Sequence, residues 1–173
     1  MDDLVEKAIM LATEAHVGQK SFRGRPYILH PLRVMEKMDT DVAMAVAVLH
    51  DTVEDTKITL EELRTMGFPL EVVEAVDAMS HREGESYWDY IERVKSSSVA
   101  TRVKIADLED NMRVERIVHF TKKDEKRLRK YRDAYNELLQ HGWNTGAVVP
   151  PYGDKPEEPA VPPEEWNACK DSD

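Results

Sequence analysis

Asp41-Val42-Ala43-Met44-Ala45-Val46-Ala47-Val48-Leu49-His50-Asp51-Thr52-Val53-Glu54-Asp55 decides the fold. At about 100° per residue, Val42, Val46, Leu49 and Val53 share one side of a helix. His50, Asp51, Glu54 and Asp55 fall within an arc of about 140° on the other. The spacing predicts one helix from about Asp41 to Glu54, its apolar side turned to a core. Four ionisable groups on such a helix are costly unless water or a cation compensates them. A solvated face is one reading of them, and a cation site the other.

The flanking sequence repeats the helical pattern. Leu4, Ala8, Leu11, Ala12 and Ala15 recur at helical spacing up to a stop at Gly18. A polar connection with Gly24 and Pro26 leads to a helix near His30, where Pro31 in the first turn is tolerated. Thr59-Leu60-Glu61-Glu62 has the form of a capping box, and Gly67 closes that helix. Pro69 to Met79 forms the next. Ser86 caps a segment through Val94, and Ser97 or Ser98 opens a helix carrying Val99, Val103, Ala106 and Asp107. Thr121 caps a charged helix with Leu128, Tyr131, Tyr135 and Leu138 as its buried stripe, expected to end at Gly142. No stretch alternates as a strand would. The expectation is an all-α bundle of about eight helices over residues 1–141.

From about Gly142 the composition changes. Six of the nine prolines lie between Pro150 and Pro163, interleaved with acids. Residues 142–173 are therefore expected to be an extended, disordered, acidic proline-rich tail. That tail carries about half of the net charge of −10. An acidic balance argues against nucleic acid as a partner but leaves room for a small phosphorylated ligand, because a divalent ion reverses the local sign. No apolar run is long enough for a membrane span, and the acidic N-terminus is unlike a signal peptide. One cysteine, Cys169, excludes an internal disulfide and fits a reducing cytoplasm.

Two further residues complete the candidate cation site. His30 alone could cap or pack. Asp107, between Ala106 and Leu108, is expected to be buried, and a buried carboxylate must be paired or metal-bound. Lys104 and Asn111 share its side of the helix and can reach a ligand, and a salt bridge from Lys104 is the alternative use of the acid. Taken together, two imidazoles and two carboxylates (His30, His50, Asp51, Asp107) suit Mn²⁺, Fe²⁺ or Zn²⁺. Elsewhere, Trp88 and Tyr90 remain undecided between ligand contact and packing, and Trp166, alone in the tail, is either a docking residue for a partner or without a role. Lys122, Lys123, Arg127 and Lys130 read as a solvated basic face.

At these motifs the sequence resembles the HD-domain phosphohydrolases. More narrowly, it resembles the hydrolase domain of Rel/Spo homologues and the stand-alone small alarmone hydrolases. The resemblance runs through Ala8-His16-Gly18-Gln19, Gly24-Pro26-Tyr27-His30-Pro31, His50-Asp51-Glu54-Asp55-Thr56 and Val103-Lys104-Ala106-Asp107-Asn111, about residues 4–140. It implies a helical HD-domain bundle with His30, His50, Asp51 and Asp107 as ligands, normally to Mn²⁺. It further implies that Glu54 and Asp55 orient or activate the attacking water, and that Asn111 contacts a nucleotide. The implied reaction removes the 3′-pyrophosphate of guanosine tetra- or pentaphosphate. One departure stands out: the family's basic residues after His-x-Gly-Gln are replaced by Ser21 and Phe22, with Lys20, Arg23 and Arg25 around them. Phe22 can stack on a base or simply pack. Two other functions fit the same residues, a nucleotide phosphatase acting on deoxynucleotides or NADPH and a non-catalytic nucleotide sensor.

Overall fold

In a computed structural model, residues 4–113 and 120–147 are described, and among them nine helical segments and no strand occur. They are α1 (Leu4–Ala15), α2 (Leu29–Met35), α3 (Asp41–Leu49), α4 (Thr52–Asp55), α5 (Leu60–Thr65), α6 (Leu70–Met79), α7 (Tyr87–Val94), α8 (Ser98–Asn111) and α9 (Lys122–Thr145). The all-α expectation holds. The expected disordered tail, with Trp166 and Cys169, lies almost wholly outside the described residues.

Helix α3 is the axis of the bundle, packed against α1, α2, α6 and α8. Its alanines explain this position. Ala43, Ala45 and Ala47 are buried alongside Val46, Val48 and Leu49, so the helix is apolar nearly all round and its neighbours approach closely. Each fully buried valine or leucine contributes about 1.5–3 kcal/mol relative to exposure. Helix α9 lies over α8 and α7.

Helix ends follow the local chemistry. Thr59 and Glu62 form a reciprocal capping box, and Ser86, Ser97 and Thr121 each accept a backbone N–H at their helix starts. Gly67, at φ +78°, makes the reversal between α5 and α6 in the left-handed region.

Two boundaries differ from expectation. The helix expected from Asp41 to Glu54 is two, because the chain bends at His50 and Asp51, where Asp51 has φ −95° and ψ −5°. His50 there turns its Nδ1 onto the carbonyl of Ala47 at 2.7 Å. Hence the count is nine rather than about eight. The last helix also runs past Gly142, which is buried inside it, and ends at Thr145 with Gly146 in the left-handed conformation. Gly142 is therefore a buried position within the helix and not its end.

Candidate metal centre

Three helices and one bend bring the predicted ligands together. His30 comes from the first turn of α2, His50 and Asp51 from the bend after α3, and Asp107 from the last turn but one of α8. His30, His50 and Asp107 are buried, and one ligand atom from each lies within 4.8 Å of the others. His30 Nε2 is 2.9 Å from Asp107 Oδ1, and His50 Nε2 is 3.6 Å from the same oxygen. Asp51 Oδ2 joins them at 3.0 Å from His50 Nε2 and 3.7 Å from His30 Nε2. Ligand atoms held about 2.1 Å from one ion stand about 3.0–3.4 Å apart, so these separations fit a shared cation.

The other nitrogen of each imidazole supports the same reading. His30 Nδ1 is 2.7 Å from Asp110 Oδ2, and His50 Nδ1 donates to the Ala47 carbonyl. Partners that only accept keep a proton on Nδ1 and aim Nε2 at the carboxylates, where it can hold a proton or ligate a cation. His50 Nε2 is buried and forms no well-directed hydrogen bond. A buried, unsatisfied nitrogen aimed at two carboxylates is what a metal ligand requires.

Charge in the cluster is strongly coupled. Burial alone would lower the pKa of His30, but contacts with Asp107 and Asp110 outweigh it and raise the value. For His50, burial is likewise outweighed by Asp51 and Asp107, and its pKa sits well above the usual one. Burial pushes Asp107 upward, yet Lys104, His30 and His50 hold it well below the normal range. Asp51, similarly opposed by burial, is held at about 2, chiefly by His50. Protons here do what a cation would do.

Asp107 divides its two oxygens. Oδ2 accepts from Lys104 Nζ at 2.8 Å, while Oδ1 faces the imidazoles and accepts from Asn111 Nδ2 at 2.6 Å. Of the two uses weighed for this acid, the salt bridge from Lys104 is present on one oxygen, while the other oxygen is turned to the imidazoles. Lys104 also lies over the Tyr90 ring at 5.1 Å. Tyr90 itself is buried core, its hydroxyl donating to the Met79 carbonyl.

Glu54 and Asp55 are exposed on α4 beside the cluster. Glu54 Oε2 accepts the backbone N–H of His81 at 2.8 Å. Burial, then Asp51 and Glu54, raise the pKa of Asp55. Gln19 ties this turn down: its Nε2 donates to the Asp55 carbonyl at 2.8 Å, and its Oε1 is 2.8 Å from His16 Nδ1.

The basic loop closes as a small hairpin. Ser21 N–H donates to the Arg25 carbonyl, and Gly24, at φ +73°, makes the turn. Arg23 and Arg25 line a cleft together with Phe22, Tyr27, His30 and Arg33. Lys20 pairs with Pro26 across the hairpin and is not among the lining residues. Phe22 is 90% exposed, so of its two sequence readings, packing is not realised.

Sequence reasoning missed Tyr27, Asp110 and Arg33. Tyr27 donates to Asp51 Oδ2 at 2.6 Å. Arg33 donates to both oxygens of Asp110 at 2.8 Å. The signal existed: Asp110 follows Asp107 by three residues, and Tyr27 and Arg33 flank His30 by three on either side, so each lies one turn from a ligand.

No protein-family model matches the chain. Among curated proteins, it is 35% identical over 155 residues to the GTP pyrophosphokinase of Streptomyces coelicolor, covering 82% of this chain and 18% of that protein. It is 30% identical over 125 residues to the bifunctional (p)ppGpp synthase/hydrolase SpoT of Escherichia coli, covering 63% of this chain and 18% of that one. The chain thus spans less than a fifth of the length of these relatives. A solved structure, described as a metazoan SpoT ortholog that hydrolyzes ppGpp, superposes with TM-score 0.64 at 19% identity, over 86% of this chain and 98% of the other. The chain resembles the Rel/Spo homologues in sequence and shares the helical fold of that metazoan protein.

Proposed function

We propose that the protein is a Mn²⁺-dependent hydrolase that removes the 3′-pyrophosphate of guanosine tetra- or pentaphosphate. The observation that carries this reading is the convergence of His30, His50, Asp51 and Asp107, with both Nε2 atoms turned inward. The relatives' names support the substrate, since both synthesis and hydrolysis of guanosine alarmones occur among them. Hydrolysis is the half that a His/Asp cation site with adjacent acids serves.

Bound Mn²⁺ polarises a phosphoryl oxygen and lowers the pKa of coordinated water. The protein's own groups do the remainder. Asp55, whose pKa is raised, accepts the proton of the attacking water. Glu54, held by the His81 N–H, orients the attacking water beside it. Tyr27 holds Asp51 in the orientation a ligand needs, as Asn111 and Lys104 do for Asp107. Arg23 and Arg25 offer guanidinium groups to the nucleotide's remaining phosphates. Because phosphoryl transfer needs little covalent assistance, positioning and charge carry most of the rate. Fe²⁺ or Zn²⁺ would also suit these donors.

Ser21 and Phe22 favour keeping a second reading, an HD-type nucleotide phosphatase taking deoxynucleotides or NADPH. An exposed ring beside two arginines suits any aromatic base with a nearby phosphate. A panel assay with Mn²⁺ separates the two. GDP and pyrophosphate from guanosine tetraphosphate support the first. Orthophosphate from NADPH, or from deoxynucleotides alone, selects the second. A chain that binds nucleotide yet turns over none of the panel is a sensor.

A further inference from the structure

We propose that Arg33 and Asp110 are a positioning pair for His30, one that sets how tightly the cation is held; the inference rests on the metal-centre reading above. Helices α2 and α8 each contribute a ligand and, one turn further on, a brace: His30 then Arg33, Asp107 then Asp110. The braces meet. Arg33 Nε donates to Asp110 Oδ1 and Nη2 to Oδ2, both at 2.8 Å, in the two-point geometry that suits a carboxylate. The same Oδ2 lies 2.7 Å from His30 Nδ1.

A salt bridge that only tied α2 to α8 would not need the imidazole. Here the imidazole shares the oxygen, and the result is directional: with Nδ1 turned to Asp110, Nε2 points at Asp107 Oδ1, 2.9 Å away. Asp110 is 1% exposed, so its charge is sustained by Arg33 and His30, with Arg113 Nη1 at 3.6 Å from Oδ1, rather than by water. The two imidazoles are consequently unequal. His50 leans on a neutral carbonyl, whereas His30 leans on an ionised carboxylate, which makes it the more electron-rich donor. Arg33 keeps Asp110 anionic, so the brace orients the ring without taking its proton.

The test is Mn²⁺ binding, read from the electron paramagnetic resonance signal of the free ion, for the full chain and for Asp110→Asn and Arg33→Gln. Thermal melts in chelator are recorded beside it. Asp110→Asn should bind Mn²⁺ about 10–100-fold more weakly. Arg33→Gln should shift affinity in the same direction by less. Wild-type affinity in both variants, with only the metal-free melt lowered, would reduce the pair to a structural tie and overturn the proposal. Should Asp110→Asn fail to fold, Arg33→Gln decides alone, because the Arg33 side chain is 36% exposed and its loss leaves no buried cavity. A wild-type chain that binds no Mn²⁺, Fe²⁺ or Zn²⁺ overturns the metal-centre reading itself, an outcome distinct from a variant-specific result.

Discussion

Asp107 is the residue on which the account turns, because four groups compete for its two oxygens. Lys104 pairs with one oxygen while both are largely out of water, at 14% and 3% side-chain exposure. Removing the acid's charge therefore strands an ammonium as well as a ligand. Asp107→Asn is expected to lose Mn²⁺ binding and about 3 kcal/mol of stability in urea unfolding, the usual penalty for breaking a buried pair from one side. Adding Lys104→Met to Asp107→Asn should recover much of the stability and none of the binding. The imidazoles give a second prediction. Their pKa values are raised in the metal-free chain, so they hold protons over a pH range extending above that of a free imidazole, and those protons must leave before a cation binds. Mn²⁺ affinity should rise with pH through that range, and a pH-independent affinity would contradict the assignment of His30 and His50. The four clustered residues, His30, His50, Asp51 and Asp107, were legible in sequence as a candidate set because histidine and acid on apolar helices are conspicuous. Asp110 and Tyr27 were not, because their function exists only across the contact between helices.

At the scale of elements, the site depends on where helices start and stop. Ser97 caps α8, the helix carrying Lys104, Asp107, Asp110 and Asn111. Ser97→Ala should cost about 1 kcal/mol, measured by chemical denaturation, with Mn²⁺ affinity little changed. The connection between α6 and α7 is held by Arg93, which donates to the carbonyls of Asp77 and Ser80 and to both oxygens of Glu85. That connection presents the His81 N–H to Glu54. The Arg93 guanidinium, hydrogen-bonded to its carboxylate, holds the Glu85 pKa at about 2. A depressed carboxylate stabilises the fold fully above its unfolded pKa and progressively less as pH falls toward the folded one. Glu85→Gln should therefore lower the melting temperature at pH 7, and the gap from wild type should close between about pH 4.3 and 2. Capping residues were read correctly from sequence, since a cap is local chemistry. The bend at His50-Asp51 was not, because no glycine or proline marks it and the periodicity of Val42, Val46, Leu49 and Val53 runs straight across.

For the whole molecule, the described helices enclose one core around α3, and the candidate centre sits where α2, α8 and the end of α3 converge. Three separate stretches of chain are pinned by one cluster of charge, so a cation bound there links them all. At a hundred times its dissociation constant, a ligand of the native state alone adds about 2.7 kcal/mol. Mn²⁺ should raise the melting temperature of the wild-type chain and leave that of Asp107→Asn unmoved. No helix among the described residues is long and apolar enough to cross a membrane. The all-α architecture was legible because apolar residues recur at helical spacing along most of the chain. Gly142 misled because sequence alone does not distinguish a glycine that ends a helix from one buried within it. The most direct test of the hydrolytic reading is product analysis after chelator-stripped protein is given guanosine tetraphosphate, with and without added Mn²⁺. The account predicts GDP and pyrophosphate in equal amounts with the metal, none without it, and none from Asp107→Asn. Turnover that persists in chelator, or in Asp107→Asn, would contradict it, as would alarmone formed from ATP and GDP in place of hydrolysis.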